Sequence, residues 1–312
     1  MNTNKIYSLF LAMLCLLAFA GCNSYDAQKN KLSVFADIFP IYDFTRSVAK
    51  DKINLSMAIP PGAEPHHFEF RTRNIIEIQN SDIFFYCGLV NPKINKLAKT
   101  LNNKVLVIDV CLDTKTIHYG DLRFASHKHP SYRTSGIDPH VWLDFDNAVM
   151  IAEKIKTALI KVDVKNKKIY TENAEKLKQS ISDISNQYNE VLPYCKEKDI
   201  IHLGHFSFGY IAKKFNFNYM PVQGFSPVSE TSAKEIIKII KYITKNKTKY
   251  VFTDSFFNPK LAETIKRESA SEILVLNPMG AIAKEDFSSG KNYSTISREN
   301  LDVLSKGMRC RK

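Results

Sequence analysis

The sequence predicts an α/β protein of two lobes, each a mostly parallel sheet flanked by helices, joined by one long rigid helix. Three observations predict it. Short apolar runs alternate with helical stretches from residue 32 to residue 110, and the alternation restarts near residue 200. Between them lies a helical pattern over 165–192 that contains neither Gly nor Pro. The 312 residues are enough for two domains, and 44% hydrophobic with 24% charged residues is globular composition, which excludes a disordered or collagen-like chain.

Residues 1–22 read MNTNKIYSLFLAMLCLLAFAGC. Lys5 supplies a short positive start, 6–20 is uncharged and mostly apolar, and the small Ala20 and Gly21 precede Cys22. That is the layout of an export signal. Its ending resembles a bacterial lipobox, in which the cysteine (here Cys22) is acylated and becomes the first mature residue. Phe19 stands where that motif usually has Leu, so a non-lipidated signal or an uncleaved anchor is the alternative. Acyl chains on Cys22 would anchor an extracytoplasmic body, each buried methylene contributing about 0.8 kcal/mol. No apolar stretch of spanning length follows.

Residues 23–164 read as a polar spacer and the first lobe, with strands at 32–36, 54–59, 82–87 and 105–110. Helical segments fall at 41–50, 74–79 and 91–101. Residues 113–138 break the rhythm; they are polar, carry His118, His127 and His129, and read as a long surface loop. Helical spacing returns at Ala148, Ile151, Ala152, Ile155 and Leu159.

The connecting helix is expected over 165–193, where Ile169, Leu177, Ile181, Ile184, Tyr188 and Leu192 fall on one face. At ~1.5 Å per residue it makes a rod of roughly 40 Å, suited to bridging two lobes better than to lying in a core. Pro193 stops it. Residues 194–312 form the second lobe, with strands at 200–203, 250–252 and 273–276 and helices at 208–214, 233–245 and 260–268.

Charge and cysteines narrow the function classes. Lys+Arg 44 against Asp+Glu 32 gives +12, but the lysines are scattered. They read as a solvated surface, with no nucleic-acid patch. Cys15 lies in the signal, leaving Cys87, Cys111, Cys195 and Cys310 besides Cys22. Four cysteines allow three connectivities, and none sits in CxxC spacing, so disulfides or buried thiols are favoured over metal ligation.

All eight histidines lie between 66 and 205. His66 and His67 follow the turn Pro60-Pro61-Gly62-Ala63-Glu64-Pro65, His140 sits in Asp138-Pro139-His140-Val141-Trp142-Leu143-Asp144, and His205 follows a strand. Ligands of open α/β sheets bind where loops leave the C-terminal strand ends. Any site shared by His66, His140 and His205 must be assembled by the fold, since their spacing is nothing like that of a zinc finger. Each taken singly also reads as a cap or a satisfied surface group. His202 reads as a core or edge residue, and His118, His127 and His129 as a metal-collecting loop or polar filler.

Together, Pro65-His66-His67-Phe68-Glu69, the 138–144 segment and His205-Phe206-Ser207-Phe208-Gly209-Tyr210 resemble the metal-binding solute-binding proteins of ABC transporters, typified by ZnuA and TroA. Ser226-Pro227 through Thr231-Ser232-Ala233, 258–265, and Leu276-Asn277-Pro278-Met279-Gly280 support the match, which runs in order from Leu32 to Leu304. The resemblance implies two α/β lobes joined by a long helix, with the metal in the cleft between them. It places the ligands on His66, His140 and His205. Zinc-type members carry His at the third position, and imidazole suits Zn²⁺ where Mn²⁺ prefers carboxylate oxygens. Many relatives have Asp where Asn277 stands, so a fourth ligand could be Asn277, water or Asp254.

The resemblance therefore implies a monomeric zinc-uptake lipoprotein, periplasmic or on the cell surface. By the same resemblance it is expected not to be an enzyme and to hand Zn²⁺ to an ABC permease and its ATPase. A manganese or iron receptor, a metal-dependent adhesin and a zinc hydrolase are the alternatives; no HExxH base motif supports the last. Competition by protons is expected to weaken binding as pH falls through about 6.5.

Overall fold

The computed structural model describes residues 31–122, 136–223 and 232–311. The signal segment, Cys15, Cys22, His127, His129 and the 226–231 motif lie outside the described residues.

Two four-stranded parallel sheets form the framework. The first holds β1 (Leu32–Ala36), β2 (Ile53–Met57), β3 (Ile83–Tyr86) and β4 (Leu106–Asp109) in the order β2-β1-β3-β4. The second holds β5 (Asp199–His202), β6 (Asn218–Pro221), β7 (Tyr250–Thr253) and β8 (Glu272–Val275) in the equivalent order β6-β5-β7-β8. In each sheet the strand order reverses beside the first strand, which opens a crevice at the C-terminal strand ends. The successive Phe84 and Phe85 are both fully buried, as expected of a strand covered on two faces.

Helices make the crossovers, and local chemistry sets their starts. In the first lobe α1 (Phe39–Ala49) has Pro40 in its first turn, α2 spans Thr72–Gln79, and α3 (Pro92–Thr100) is capped by Asn91, whose Oδ1 accepts from Lys93 N at 2.9 Å. Asp144 caps α4 (Phe145–Val162) in the same way, through Asn147 N at 2.9 Å. The long helix α5 covers Lys167–Val191. In the second lobe follow α6 (Gly209–Lys214), α7 (Ala233–Lys245) with a Ser232/Glu235 capping box, α8 (Pro259–Ser269), α9 (Lys284–Ser288) and α10 (Tyr293–Gly307). No helix among the described residues is long and apolar enough to cross a membrane.

The long helix is not a bare rod. It buries Tyr170, Ala174, Leu177, Ile181, Ile184 and Tyr188 on one face, packed against α4, α1 and α10. The last of these was not foreseen, and it grips both lobes. It packs on α1 and α5 as well as on β7 and β8. Its Tyr293 donates its hydroxyl to Trp142 O at 2.6 Å and its backbone N–H to Asp43 Oδ2 at 2.8 Å. Trp142 in turn donates Nε1–H to Pro278 O across the crevice at 2.8 Å. The four cysteines pair as Cys87–Cys111, at the ends of β3 and β4, and Cys195–Cys310, which ties the C-terminus to the segment before β5.

Candidate metal centre

The first histidine is carried by the segment after β2. Gly62 adopts φ +86°, a left-handed turn that an L side chain rarely enters, and its N–H reaches Ile282 O in the second lobe at 2.8 Å. Glu64 then accepts the backbone N–H of His66 (2.9 Å) and of His67 (3.0 Å) on its two carboxylate oxygens. This fixes the turn that presents the His66 ring to the crevice while His67 stays exposed.

Two of the three imidazoles are held by a hydrogen bond at Nδ1, and the third approaches a carboxylate there. His66 Nδ1 lies 3.1 Å from Val90 O, His140 Nδ1 lies 2.8 Å from Asp138 Oδ1, and His205 Nδ1 lies 3.4 Å from Asp254 Oδ2. A donor N–H at Nδ1 leaves the Nε2 lone pair free for a metal. Those Nε2 atoms converge: His140 Nε2 is 3.3 Å from that of His66 and 3.2 Å from that of His205. Two nitrogens each about 2.0–2.1 Å from one ion at the tetrahedral angle are about 3.3–3.4 Å apart. The measured separations match that edge.

Asp254 approaches His205 so closely because residue 204 is glycine. A Cβ there would sit 2.0 Å from Asp254 Oδ2. Burial pushes the Asp254 carboxyl up, but the His205 hydrogen bond and the charges of His202 and His205 outweigh it, and the net direction is down. An ionised Asp254 thus backs His205. Burial and the neighbouring His205 push the His66 imidazole down to about 3. Burial, then the His66 and His205 rings, hold His140 well below the usual imidazole range. Both are neutral at physiological pH. This corrects the expectation of proton competition near 6.5, which for His66 and His140 moves to far more acid conditions.

The three rings open on a cavity of about 20 Å³, lined also by Glu64, Pro65, Phe256, Pro278, Gly280 and Ala281. It has room for one water-sized occupant. Among the described residues, His66, His140 and His205 are the group of His, Cys, Asp or Glu whose donor atoms lie within 4.8 Å of one another. Asn277 does not line the cavity. Its Oδ1 accepts from Met279 N at 2.8 Å, and its backbone pairs with the Asn300 side chain, so its amide oxygen is already engaged. Asp254 sits on the Nδ1 side of His205, behind the ring as seen from the cavity. His118 is exposed and bridges to Ile137 on the surface. His202 is buried in β5, where its Nδ1 meets His205 O at 3.1 Å and the Tyr219 hydroxyl at 3.2 Å.

Sequence reasoning missed Glu64, Asp138 and Phe256. The first two carried a local signal, an acidic residue two places before His66 and before His140. Phe256 reaches the cavity from the loop after β7 and carried none.

The model of the ZnuA family, described as zinc-uptake complex component A, periplasmic, matches residues 34–307. The chain belongs to the ZnuA family. Among its ZnuA-family relatives, the zinc-binding lipoprotein AdcA of Streptococcus pneumoniae strain R6 is 30% identical over 303 residues, covering 96% of this chain and 60% of AdcA. The chain therefore spans about 60% of the length of that relative. The high-affinity zinc uptake system protein ZnuA of Bacillus subtilis is 27% identical over 314 residues, with 96% of this chain and 97% of that protein covered.

Among solved structures, the Zn(II)-bound ZnuA-like domain of S. pneumoniae AdcA superposes with TM-score 0.77 at 28% identity, covering 89% of this chain and 99% of that one. The metal-dependent lipoprotein YcdH of B. subtilis gives TM-score 0.75 at 26% identity, with 89% and 99% covered. Both share the fold of this chain.

Proposed function

We propose that this chain is an extracytoplasmic receptor that captures Zn²⁺ between its lobes and delivers it to an ABC permease powered by its ATPase. The ligands are His66, His140 and His205, acylated Cys22 holds the monomer at the membrane, and the chain performs no catalysis. The observation that carries this reading is the spacing of the three Nε2 atoms, 3.3 and 3.2 Å about His140, with the Nδ1 of His66 and of His140 already hydrogen-bonded. Three neutral imidazoles suit Zn²⁺ better than Mn²⁺, which prefers oxygen donors. The names of the relatives, a zinc-binding lipoprotein and a zinc uptake protein, support the same cargo.

A fourth position filled by water fits the cavity wall, where Glu64 already accepts two backbone N–H groups. Because α10 and the Trp142–Pro278 bond tie the lobes together, large spontaneous opening is opposed. Release is accordingly assigned to the permease encounter. Calorimetric titration of chelator-stripped protein tests the reading: one Zn²⁺ per chain, bound far more tightly than Mn²⁺. Preference for Mn²⁺, or no binding of either, would overturn it.

A further inference from the structure

We propose that Asn91 is a positioning residue for His66, acting from a turn that the Cys87–Cys111 disulfide fixes. The proposal rests on the zinc reading above and adds to it the device that holds the first ligand.

His66 is the ligand with the least support of its own. It lies in 60–71, a stretch without helix or strand apart from its turns, and its ring bonds to a backbone carbonyl, where His140 and His205 have carboxylates. What fixes that stretch comes from the loop after β3. Asn91 is 1% exposed, and its Nδ2 donates to Pro65 O at 2.9 Å and to Phe68 O at 3.1 Å. These two carbonyls straddle His66. The adjacent Val90 O takes the His66 Nδ1–H. One side chain and its neighbour's carbonyl thus set both the backbone path and the ring direction.

The turn holding Asn91 is itself tied down. Val90 N closes it on Cys87 O at 3.1 Å, and Cys87 N donates to the buried Asp37 at 2.8 Å. Asp109 accepts Gly88 N at 3.2 Å, Asn95 donates to Gly88 O at 2.8 Å, and the disulfide links Cys87 to Cys111 beyond β4. The remaining oxygen of the Asn91 amide caps α3. The clamp is therefore continuous from the first sheet to the His66 ring.

Asn91→Ser separates the clamp from the cap, since serine still caps a helix but lacks the two amide donors. Zinc affinity is expected to fall about 10- to 100-fold, the usual effect of removing a group that orients a metal-bound histidine. The same change made in His66→Ala protein should alter affinity by less than about twofold, the scatter between uncoupled sites. Equal losses in both backgrounds, or no loss in the first, overturn the proposal. If His66→Ala itself binds zinc as the parent does, the metal reading fails, and the role of Asn91 fails with it.

The Cys87→Ser/Cys111→Ser pair keeps Asn91 in place and serves should Asn91→Ser not fold. It is expected to speed zinc release in the parent background and not in His66→Ala protein. Unchanged release in both overturns the part given to the disulfide.

Discussion

Replacing His140 by alanine removes the nitrogen common to both short Nε2 separations and also strips Asp138 of its imidazole partner. The two losses are read by different assays. Structural zinc sites bind with apparent free energies of about 10–16 kcal/mol. Shared over four ligands, that is about 2.5–4 kcal/mol each, or about two to three decades in affinity. The second loss falls on the apoprotein. Asp138 is fully buried and keeps the residue-140 backbone N–H at 3.0 Å but loses Nδ1–H at 2.8 Å. Losing one of the two hydrogen bonds that Asp138 Oδ1 accepts costs about 0.5–1.5 kcal/mol.

His140→Ala should therefore weaken zinc binding about 10²- to 10³-fold in competition titrations, and lower the urea midpoint of metal-free protein. His118→Ala should leave both unchanged. A less than fivefold loss at His140, or equal losses at His118, would refute the assignment of His140 as a ligand.

Two further outcomes follow from the same coordinates. With His66 pushed down to about 3 and His140 well below its ordinary range, both are unprotonated at pH 5.5, so zinc displaces no proton from either. Calorimetry in buffers of different ionisation enthalpy should then find clearly fewer protons released than the nearly three that three ordinary imidazoles would give. Nearly three released would show the rings to be solvated. Tyr293→Phe removes a hydroxyl that bonds Trp142 O in full burial. It should lower the apoprotein Tm by several degrees, at about 2–4 °C per kcal/mol for chains of this size; an unchanged Tm would mean that α10 does not lock the lobes.

The strand most legible in the sequence was β3, an unbroken apolar run from Ile83 to Tyr86, because a strand buried on both faces carries no alternation to confuse with loops. β6 escaped because Asn218 and Pro221 are poor strand residues, tolerated at a sheet edge. α10 escaped because its polar turns mask a buried stripe of Tyr293, Ile296, Leu301 and Leu304, which only the assembled lobes reveal as a core face. Helical periodicity found α5 and its place between the lobes, but gave no sign of how closely it packs on its neighbours. Its stripe of buried residues packs along α1, α4 and α10.

The three cleft histidines were legible from the motifs around them and from their place at strand ends. Of their supports, Val90 and Asn91 were not, because they lie far from His66 in sequence, while Asp254 was read as a possible ligand and instead stands behind His205. Asn277, offered by its motif as one of three possible fourth ligands, does not line the cavity, and its Oδ1 accepts from Met279 N.

X-ray absorption of the protein loaded with one equivalent of Zn²⁺ would examine the ion's own surroundings. Three imidazole nitrogens at about 2.0–2.1 Å with one further light atom are expected. A shell dominated by carboxylate oxygens, or one with fewer than three imidazoles, would contradict it.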